Sequence, residues 1–449
     1  MQTPIVDFIT EYSKNPQLIR AHMPGHKGVF ATVNQRDITE IPGADSLYEA
    51  DGIIAQSEAN AGALFGAHTF YSTEGSSLSI RAMLYLAMNN SKQERKGHRP
   101  VVLAGRNAHK VFLSAAALLD FHIAWLYPSP EESYLSCKVT PEQVEEALAK
   151  YQDNLPFAVY LTSPDYLGNQ VDIQGIAEVC HKYGIFLLVD NAHGAYLKFL
   201  PKSQHPMDLG ADLCCDSAHK TLPALTGAGY LHLGKHLPEE MVAQAKSAMA
   251  LFGSTSPSYL IMESMDRINP YLEETYPMEL GEFLKEVDVL KEDLKSQGYT
   301  LLGEEPLKIT IHAKEYGYTG LKLAEYLSKA HIICEFADPD YLVLMLTPQN
   351  RKEELDHIRK SLLALTKQEG KYEQAPKFVP SEMVLTVREA TFSHGEWVAV
   401  DEAEGRILHS PSVGCPPAVP IVVCGERIDK HAIDCFRYYG ITSCYVVKE

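Results

Sequence analysis

The segment "CDSAHKTLPALTGAGYLHLG" (215–234) places a serine, a histidine and a lysine within four residues: Ser217, His219 and Lys220. A small, glycine-rich run follows and predicts the start of a strand. Desolvation lowers the pKa of a lysine and makes its neutral amine available as a nucleophile. Lys220 is therefore a candidate for an imine-forming amine, while Ser217 and His219 could donate hydrogen bonds to a phosphate. A lysine on an exposed surface is the alternative.

A second group of polar residues lies in "LVDNAHGAY" (188–196), where Asp190 closes an apolar strand. A carboxylate that loses its water needs a cationic or hydrogen-bonding partner. That partner is either a structural group such as an arginine or a protonated ring nitrogen of a ligand. His193, three residues further on, could orient the same group.

The stretch "STEGSS" (72–77) precedes a predicted helix and contains what we call the anion cup: Gly75, Ser76 and Ser77. Free backbone N–H groups, the helix dipole and two hydroxyls all favour a phosphate at this position. A serine at a helix start is also a common structural cap. Because Glu74 would repel a phosphate, we expect its side chain to point away.

His109, in "GRNAHKVF", follows the predicted strand 100–105 and offers a flat ring for stacking. A structural or exposed histidine is the alternative. A phosphate site, a stacking ring, an acid for a pyridinium and a lysine for a Schiff base are together typical of pyridoxal phosphate (PLP) enzymes.

These residues need a scaffold that brings strand ends together. Apolar strands are predicted at 100–105, 122–128, 157–164, 184–194 and 211–217. Helices are predicted at 80–90, 110–120, 140–151 with Thr140 as its cap, 173–184 ending at Gly184, and 280–298. The alternation predicts an α/β fold with a mostly parallel sheet, in which ligands bind at the carboxyl ends of strands.

Changes in composition divide the chain into four predicted parts. They are an arm with little periodicity (1–45), a large cofactor-binding domain (46–264), a small α/β domain (265–370) and a C-terminal, strand-containing domain (371–449). The small domain is expected to contain strands 307–313, 331–338 and 341–348.

The overall composition excludes several classes of protein. A net charge of −18 argues against a nucleic-acid-binding surface. No signal peptide and no membrane span are expected. The nine cysteines are typical of reduced thiols in a cytoplasmic protein. Cys214, Cys215 and His219 do not have zinc-site spacing, so no metal is expected.

Beyond these clusters, long motifs run along most of the chain. They are "HMPGHKG" (22–28), "DITEIPGADSLYEADGIIAQSEANAGALFGAHTFYSTEGSS" (37–77), "TSPDYLGNQVDI" (162–173), "VDNAHGAY" (189–196), "DSAHKTLPALTGAGYLH" (216–232), "LFGSTSPSYL" (251–260), "TVREATF" (386–392) and "AEGRILHSPSVGCPPAVPIVVCGERI" (403–428). In these motifs the sequence resembles the fold-type-I, PLP-dependent ornithine/lysine/arginine decarboxylases. It resembles a short form that lacks an N-terminal wing domain.

The resemblance implies a role for each matching residue. Lys220 would be the Schiff-base lysine, Asp190 the pyridinium partner and His109 the stacking ring. The phosphate would be bound by Gly75, Ser76, Ser77, Ser217 and His219. The resemblance also implies a homodimer with shared sites, to which the arm with His22 and His26 and the block with Thr255 and Ser256 contribute. His22 and His26 are assigned to substrate binding.

The expected reaction is decarboxylation of arginine, lysine or ornithine in the cytoplasm, as in polyamine biosynthesis. An aminotransferase or lyase on the same scaffold, or a degenerate cofactor-binding protein, are the alternatives. The sequence departs from the family pattern at Glu74, at Leu408–Ser410 and at Cys415–Ala418. Because relatives recognise substrate in the C-terminal domain, the choice of basic amino acid stays open.

Overall fold

The computed structural model describes residues 1–15, 17–29, 31–93, 97–129, 132–151, 153–370, 373–411 and 417–449. Its helices are α1 (Pro4–Lys14), α2 (Ile53–Phe65), α3 (Gly75–Asn90), α4 (Lys110–Leu119), α5 (Pro141–Ala149), α6 (Ile173–Tyr183), α7 (Ala218–Thr221), α8 (Glu239–Ala243), α9 (Ala245–Ala250), α10 (Tyr259–Glu274), α11 (Tyr276–Ser296), α12 (Gly320–Lys329), α13 (Lys352–Leu363), α14 (Val387–Phe392) and α15 (Lys430–Tyr438).

Its strands are β1 (His68–Ser72), β2 (Val101–Gly105), β3 (His122–Leu126), β4 (Ala158–Thr162), β5 (Phe186–Asp190), β6 (Leu213–Asp216), β7 (Gly229–Leu233), β8 (Leu301–Leu302), β9 (Lys308–His312), β10 (Phe336–Ala337), β11 (Tyr341–Met345), β12 (Gly395–Ala399), β13 (Leu408–Ser410) and β14 (Ser443–Val447). The chain divides into two compact units. The first comprises residues 1–92 and 180–281, and the second comprises residues 93–179 and 282–449. The four domains expected from composition stay predictions.

The first unit carries strands in the order β1-β7-β6-β5. Strands β5 and β6 are parallel, whereas β7 runs antiparallel to both β6 and β1. Every residue of β6 and β7 is buried, as expected for strands covered on both faces. Helix α3 packs against β5, β6 and β7, so the start of α3 is fixed by the same strands that carry the candidate site.

The second unit contains three groups of strands. Strands β4-β2-β3 are all parallel. A separate antiparallel sheet has the order β10-β11-β9-β8, and a third sheet has the order β12-β14-β13. The third sheet and α15 enclose a hydrophobic core that includes Leu408, Phe436 and Val446. The predicted C-terminal strands are therefore present.

The predicted fold class is confirmed. The large sheet has seven strands, mostly parallel, and helices alternate with its strands along the chain. The predicted start of α5 is also confirmed, because Thr140 and Gln143 form a reciprocal capping box. Helix α6 ends before Gly184, whose φ is +65°.

The arm is where the sequence-based prediction of local structure was wrong. Residues 4–14 form helix α1 with Ile5 and Ile9 fully buried, although little periodicity was expected. Asp266 accepts hydrogen bonds from the backbone N–H groups of Ile5 and Val6, each at 2.9 Å. A long-range partner therefore binds the first turn. The prediction also missed a local signal, because Pro4 begins the helix and apolar residues recur at helical spacing from Ile5.

Several predicted boundaries also need correction. Helix α3 begins at Gly75, five residues before the predicted start at 80. The strand expected at 331–338 is reduced to β10 (Phe336–Ala337), and the one expected at 184–194 is β5 alone. In each case the apolar run extends into the loop or helix that flanks the element. Among the described residues, no helix combines the length and the apolar character needed to cross a membrane.

Candidate active site

Two neighbouring parallel strands of the first unit end in buried carboxylates. Strand β5 ends at Asp190 and β6 ends at Asp216, and Asp190 is paired with Cys215 in the parallel register. The N–H of Asn191 donates to the carbonyl of Cys215 at 3.0 Å. As predicted, Asp190 and Ser217 therefore lie at the same edge of the sheet.

Asp190 has only 2% of its surface exposed. Its Oδ1 accepts from the N–H of Ala192 at 3.2 Å and lies 3.6 Å from Sγ of Cys215. Burial, together with the nearby Asp190 carboxylate, raises the pKa of the Cys215 thiol well above its usual value. A buried carboxylate at a strand end is suited to binding a cationic or N–H-bearing group of a ligand.

Lys220 lies on the short helix α7, directly after β6. Its Nζ is 2.9 Å from Nε2 of His193, a buried residue three positions after Asp190. The structure thus brings together the amine and the imidazole that the sequence singled out. A charged Nζ donates to a neutral Nε2, so this pair can hold a proton between two nitrogen atoms.

The anion cup lies at the first turn of α3. Gly75 has φ +63°, and its N–H donates to the carbonyl of Gly227 at 2.7 Å. The Ser217 hydroxyl donates to the Ser76 hydroxyl at 3.0 Å. The side chain of Glu74, the N-cap residue, does not cap α3, and the first N–H groups of a helix have no partner within the helix. The cup therefore presents hydroxyl and N–H donors to an anion.

Close backbone packing holds the cup in place. A Cβ added at Gly229 would lie 2.7 Å from the carbonyl carbon of Gly75 and 3.0 Å from the carbonyl oxygen of Asp216. Such contacts are tighter than van der Waals packing permits. Strand β7 can approach the start of α3 this closely only because residue 229 is glycine.

Glu74 precedes the cup, and its carboxylate does not cap α3. Its Oε1 accepts from the N–H of Ser254 at 2.7 Å. This side chain is exposed and is bound to the loop before α10. The carboxylate is therefore bound outside the first turn of α3, as we expected from the sequence.

His219 lies beside the cup, since a Cβ on Gly75 would be 3.5 Å from its Cε1. Its Nδ1 is 2.8 Å from the carbonyl oxygen of Ala228, so Nδ1 carries the proton. Burial lowers the pKa of His219, and the charge of Lys220 lowers it further. A neutral ring leaves Nε2 as an acceptor, whereas a nearby phosphate would favour the protonated ring and make Nε2 a donor.

His109 belongs to the second unit, where it is the N-cap residue of α4. Its Nδ1 accepts from the N–H of Val111 at 3.2 Å. This hydrogen bond fixes the ring at the start of the helix that follows β2. The structural role named as the alternative is thus present, and the stacking role stays a prediction.

The two arm histidines have partners within the arm. Nε2 of His22 is 2.7 Å from the hydroxyl of Tyr12, and Nε2 of His26 is 3.1 Å from Oδ2 of Asp37. Thr255 and Ser256 are exposed in the loop before α10, where the N–H of Ser256 donates to the hydroxyl of Ser254 at 3.1 Å. The roles of these four residues in substrate or cofactor binding stay predictions.

The sequence did not reveal a set of three residues below the site, which we call the buried trio: His205, Asp216 and His232. All three are fully buried. Asp216 Oδ2 accepts from Nε2 of both histidines, each at 3.0 Å, and its Oδ1 accepts from Asn191 Nδ2 at 2.7 Å. Burial opposes ionisation, but the two histidines hold the pKa of Asp216 well below its usual range.

The buried trio connects the two strand ends. Asn191 follows Asp190, and Asp216 precedes Ser217. The hydrogen bond from Asn191 to the Asp216 carboxylate therefore links the end of β5 to the end of β6. One sequence feature could have pointed to the buried trio: Asp216 closes an apolar strand just before the Ser-x-His-Lys motif. Cys214 and Cys215 are likewise buried in β6, and burial raises their thiol pKa values.

Comparison with known proteins identifies the family. Residues 3–302 match the family described as "Orn/Lys/Arg decarboxylase, major domain", and residues 366–444 match "Orn/Lys/Arg decarboxylase, C-terminal domain". The chain belongs to this family. Membership in the Orn/Lys/Arg decarboxylase family makes the protein a decarboxylase and confirms the resemblance drawn from the motifs.

Relatives span nearly the full length of this family member. An arginine decarboxylase of Bacillus subtilis is 27% identical over 96% of this chain and 92% of its own length. The uncharacterized protein YaaO of the same organism is 28% identical over 96% of this chain and 93% of its own.

Solved structures show the same fold. The constitutive lysine decarboxylase of E. coli matches with a TM-score of 0.75 and 17% identity, covering 100% of this chain and 82% of that one. The lysine decarboxylase LdcF of Francisella novicida matches with a TM-score of 0.77 and 16% identity, covering 99% and 81%. At these identities the match establishes the fold class.

Proposed function

We propose that the protein catalyses PLP-dependent decarboxylation of a basic amino acid, with arginine ahead of lysine and ornithine, to the amine and carbon dioxide. The observation that carries this proposal is the 2.9 Å contact of Lys220 Nζ with His193 Nε2 at the edge where Asp190 ends β5. The preference for arginine is supported by arginine decarboxylases of Bacillus subtilis and Bacillus cereus, at 27% and 28% identity.

The residues present fit PLP. The first turn of α3 suits the phosphate, because its N–H groups and the Ser76 hydroxyl can donate to an anion and the Ser217 hydroxyl lies 3.0 Å from that of Ser76. The buried carboxylate of Asp190 suits a protonated pyridine nitrogen. The Lys220 amine suits the aldehyde. When bound, PLP supplies an electron sink for the pair left behind as carbon dioxide departs.

The residues of this chain would contribute binding and proton positions. Asp190 holds a proton at the ring nitrogen by charge and hydrogen bonding. His193 accepts a proton from Lys220 Nζ, since the two nitrogen atoms are already 2.9 Å apart. That transfer would leave the lysine as a neutral nucleophile. Ser76, Ser217 and His219 would hold the phosphate by hydrogen bonds.

The direct test is to incubate the purified protein with PLP and, separately, arginine, lysine, ornithine and non-basic amino acids. Carbon dioxide and the matching amine are measured. We expect release of both from a basic amino acid. Keto acid without carbon dioxide would instead identify an aminotransferase. No reaction with any basic amino acid, by a protein that binds PLP, would contradict the proposal.

Replacing Asp190 with asparagine should weaken PLP binding and slow decarboxylation. A neutral amide cannot hold the ring proton electrostatically, and a charge-assisted hydrogen bond contributes roughly 1.5–3 kcal/mol. We therefore expect a loss of about 10- to 100-fold in PLP affinity, measured by titration of the apoenzyme, with a parallel loss in kcat.

The matched control is Asp51→Asn, an exposed carboxylate in the same unit, which should leave both quantities unchanged. Wild-type PLP affinity and kcat in Asp190→Asn would assign the ring nitrogen to another partner.

We further propose a homodimer whose sites are shared, as the resemblance implies, with Thr255 and Ser256 reaching the neighbour's cofactor. Their exposure and their place in a loop suit such a role. Mixing Lys220→Ala chains with Thr255→Ala/Ser256→Ala chains should restore partial activity, because one site of each mixed dimer carries neither change. The measurement is activity after subunit exchange.

Exchange is verified with differently labelled chains, and each parent is assayed alone. Two inactive parents that exchange without any recovery would contradict shared sites, as would a monomer that is active at every dilution. We further propose that the protein acts in the cytoplasm, in polyamine biosynthesis. The eight unpaired cysteines in the described part of the chain are consistent with a reducing compartment.

A further inference from the structure

A second group of histidines and aspartate lies on the surface of the first unit. We call it the surface trio: His181, Asp212 and His236. The side chains of His181 and His236 are 45% and 54% exposed, whereas that of Asp212 is 5% exposed. Their ligand atoms all lie within 4.8 Å of one another. Two accessible imidazoles thus converge on one buried carboxylate.

The distances within the surface trio resemble those between ligands of one metal ion. Nε2 of His181 is 3.2 Å from both carboxylate oxygens of Asp212, and Nε2 of His236 is 2.7 Å from Oδ1. Tetrahedral zinc with bonds of about 2.0–2.1 Å separates its ligand atoms by roughly 3.3 Å. Small side-chain rotations are therefore sufficient to place an ion among the three.

The carboxylate is fixed by the backbone. Its Oδ2 accepts from the N–H of Leu187 at 2.7 Å, which leaves Oδ1 directed at His236. The N–H of Gly234 donates to the Asp212 carbonyl at 2.9 Å, and a Cβ on Gly234 would lie 2.5 Å from Cε1 of His236. The glycine therefore gives the ring room to fold toward Asp212. Such supporting contacts orient metal ligands in proteins.

The proton positions distinguish the surface trio from the buried trio. In the buried trio, Nδ1 of His205 accepts from the N–H of Met207, and Nδ1 of His232 is bonded to the Thr69 hydroxyl. Those contacts keep the proton on Nε2. Within the part of the chain that the structure describes, the Nδ1 atoms of His181 and His236 have no protein partner. Water can accept a hydrogen bond from their Nδ1–H groups. Nε2 then carries no proton and can bind a metal ion.

We propose that His181, Asp212 and His236 bind one divalent transition-metal ion, with zinc as the expected occupant. Two imidazoles and one carboxylate are a donor set that zinc accepts, and exposure of the rings leaves a fourth position for water. Leu187 and Asp212 lie at the starts of β5 and β6, opposite the strand ends that carry Asp190 and Ser217. The ion would stabilise the first unit and would not participate in the decarboxylation.

The test uses the untagged holoenzyme with zinc, followed by calorimetry, and with Co²⁺, followed by its visible d–d bands. We expect one site of high affinity that is weakened roughly tenfold or more in both H181Q and H236Q. H68Q removes another exposed histidine of the same unit and should bind zinc like the wild type. Zinc should also raise the thermal midpoint of the wild type and of H68Q only.

Equal zinc binding by the wild type and both trio variants would overturn the proposal, as would a wild type that binds no zinc. If the trio variants do not fold, the wild-type Co²⁺ spectrum decides, since the absence of d–d bands would also overturn it. Decarboxylase activity is not the readout, so failure here leaves the proposed function untouched.

Discussion

The Lys220→Ala protein is expected to fold normally and to lose decarboxylase activity by about four orders of magnitude or more, the scale seen when a covalent nucleophile is removed. Lys220 is half-buried on a four-residue helix, and its Nζ contacts the His193 ring. Truncation therefore removes the amine without opening a core. The measurement is kcat with the preferred basic amino acid, alongside circular dichroism and thermal midpoint.

A chemical readout accompanies the kinetics. Borohydride reduction of the wild type with PLP should attach the cofactor to the peptide containing Lys220, and the variant should remain unlabelled. Lys235→Ala, at an exposed lysine of the same unit, is the matched control and should keep both labelling and turnover. A label on another lysine in the wild type would refute the assignment of Lys220.

Replacing Asp216 with asparagine is expected to lower the free energy of unfolding by about 3 kcal/mol or more. Three buried donors converge on this carboxylate, namely Nε2 of His205, Nε2 of His232 and Nδ2 of Asn191. One amide oxygen cannot satisfy them all, and each buried donor left unpaired costs about 1–3 kcal/mol. Urea unfolding monitored by circular dichroism measures the difference, with Asp51→Asn expected to lie within about 0.5 kcal/mol of the wild type.

The same substitution has a defined pH dependence. The pKa of Asp216 is lower in the folded protein than in the unfolded chain, so its contribution to stability is complete above the unfolded value of about 3.9. That contribution is lost as the pH falls from there through the folded pKa. The difference between wild type and Asp216→Asn should therefore shrink below about pH 4. A difference that stayed constant to lower pH would mean that the carboxylate is not held ionised by its partners.

The parts of the site that were predictable depend on local patterns. Apolar runs that end in Asp190 and just before Ser217 marked two strand ends, and parallel strands place such ends at one edge. The hydroxyls and glycine at 75–77 marked a helix start in the same way. These features need only neighbours in sequence, so the residues at this edge could be named in advance.

The unpredicted parts depend on partners that are far apart in the chain. His232 meets Thr69 across 163 positions, and Asp266 binds the start of α1 across 261. Neither pairing can be inferred from the residues that adjoin either partner in the sequence. In strand β10 only two residues pair with β11. The hydrophobicity of the segment does not specify how many of its residues find a partner strand.

The glycines around the anion cup have a consequence for laboratory evolution of this enzyme. Residue 229 has no room for a side chain against Gly75 and Asp216, and residue 75 has a φ of +63° that other residues rarely adopt. Most substitutions at these two positions are therefore expected to destabilise the start of α3. Searches for new substrate preference will recover more working variants if they keep both glycines.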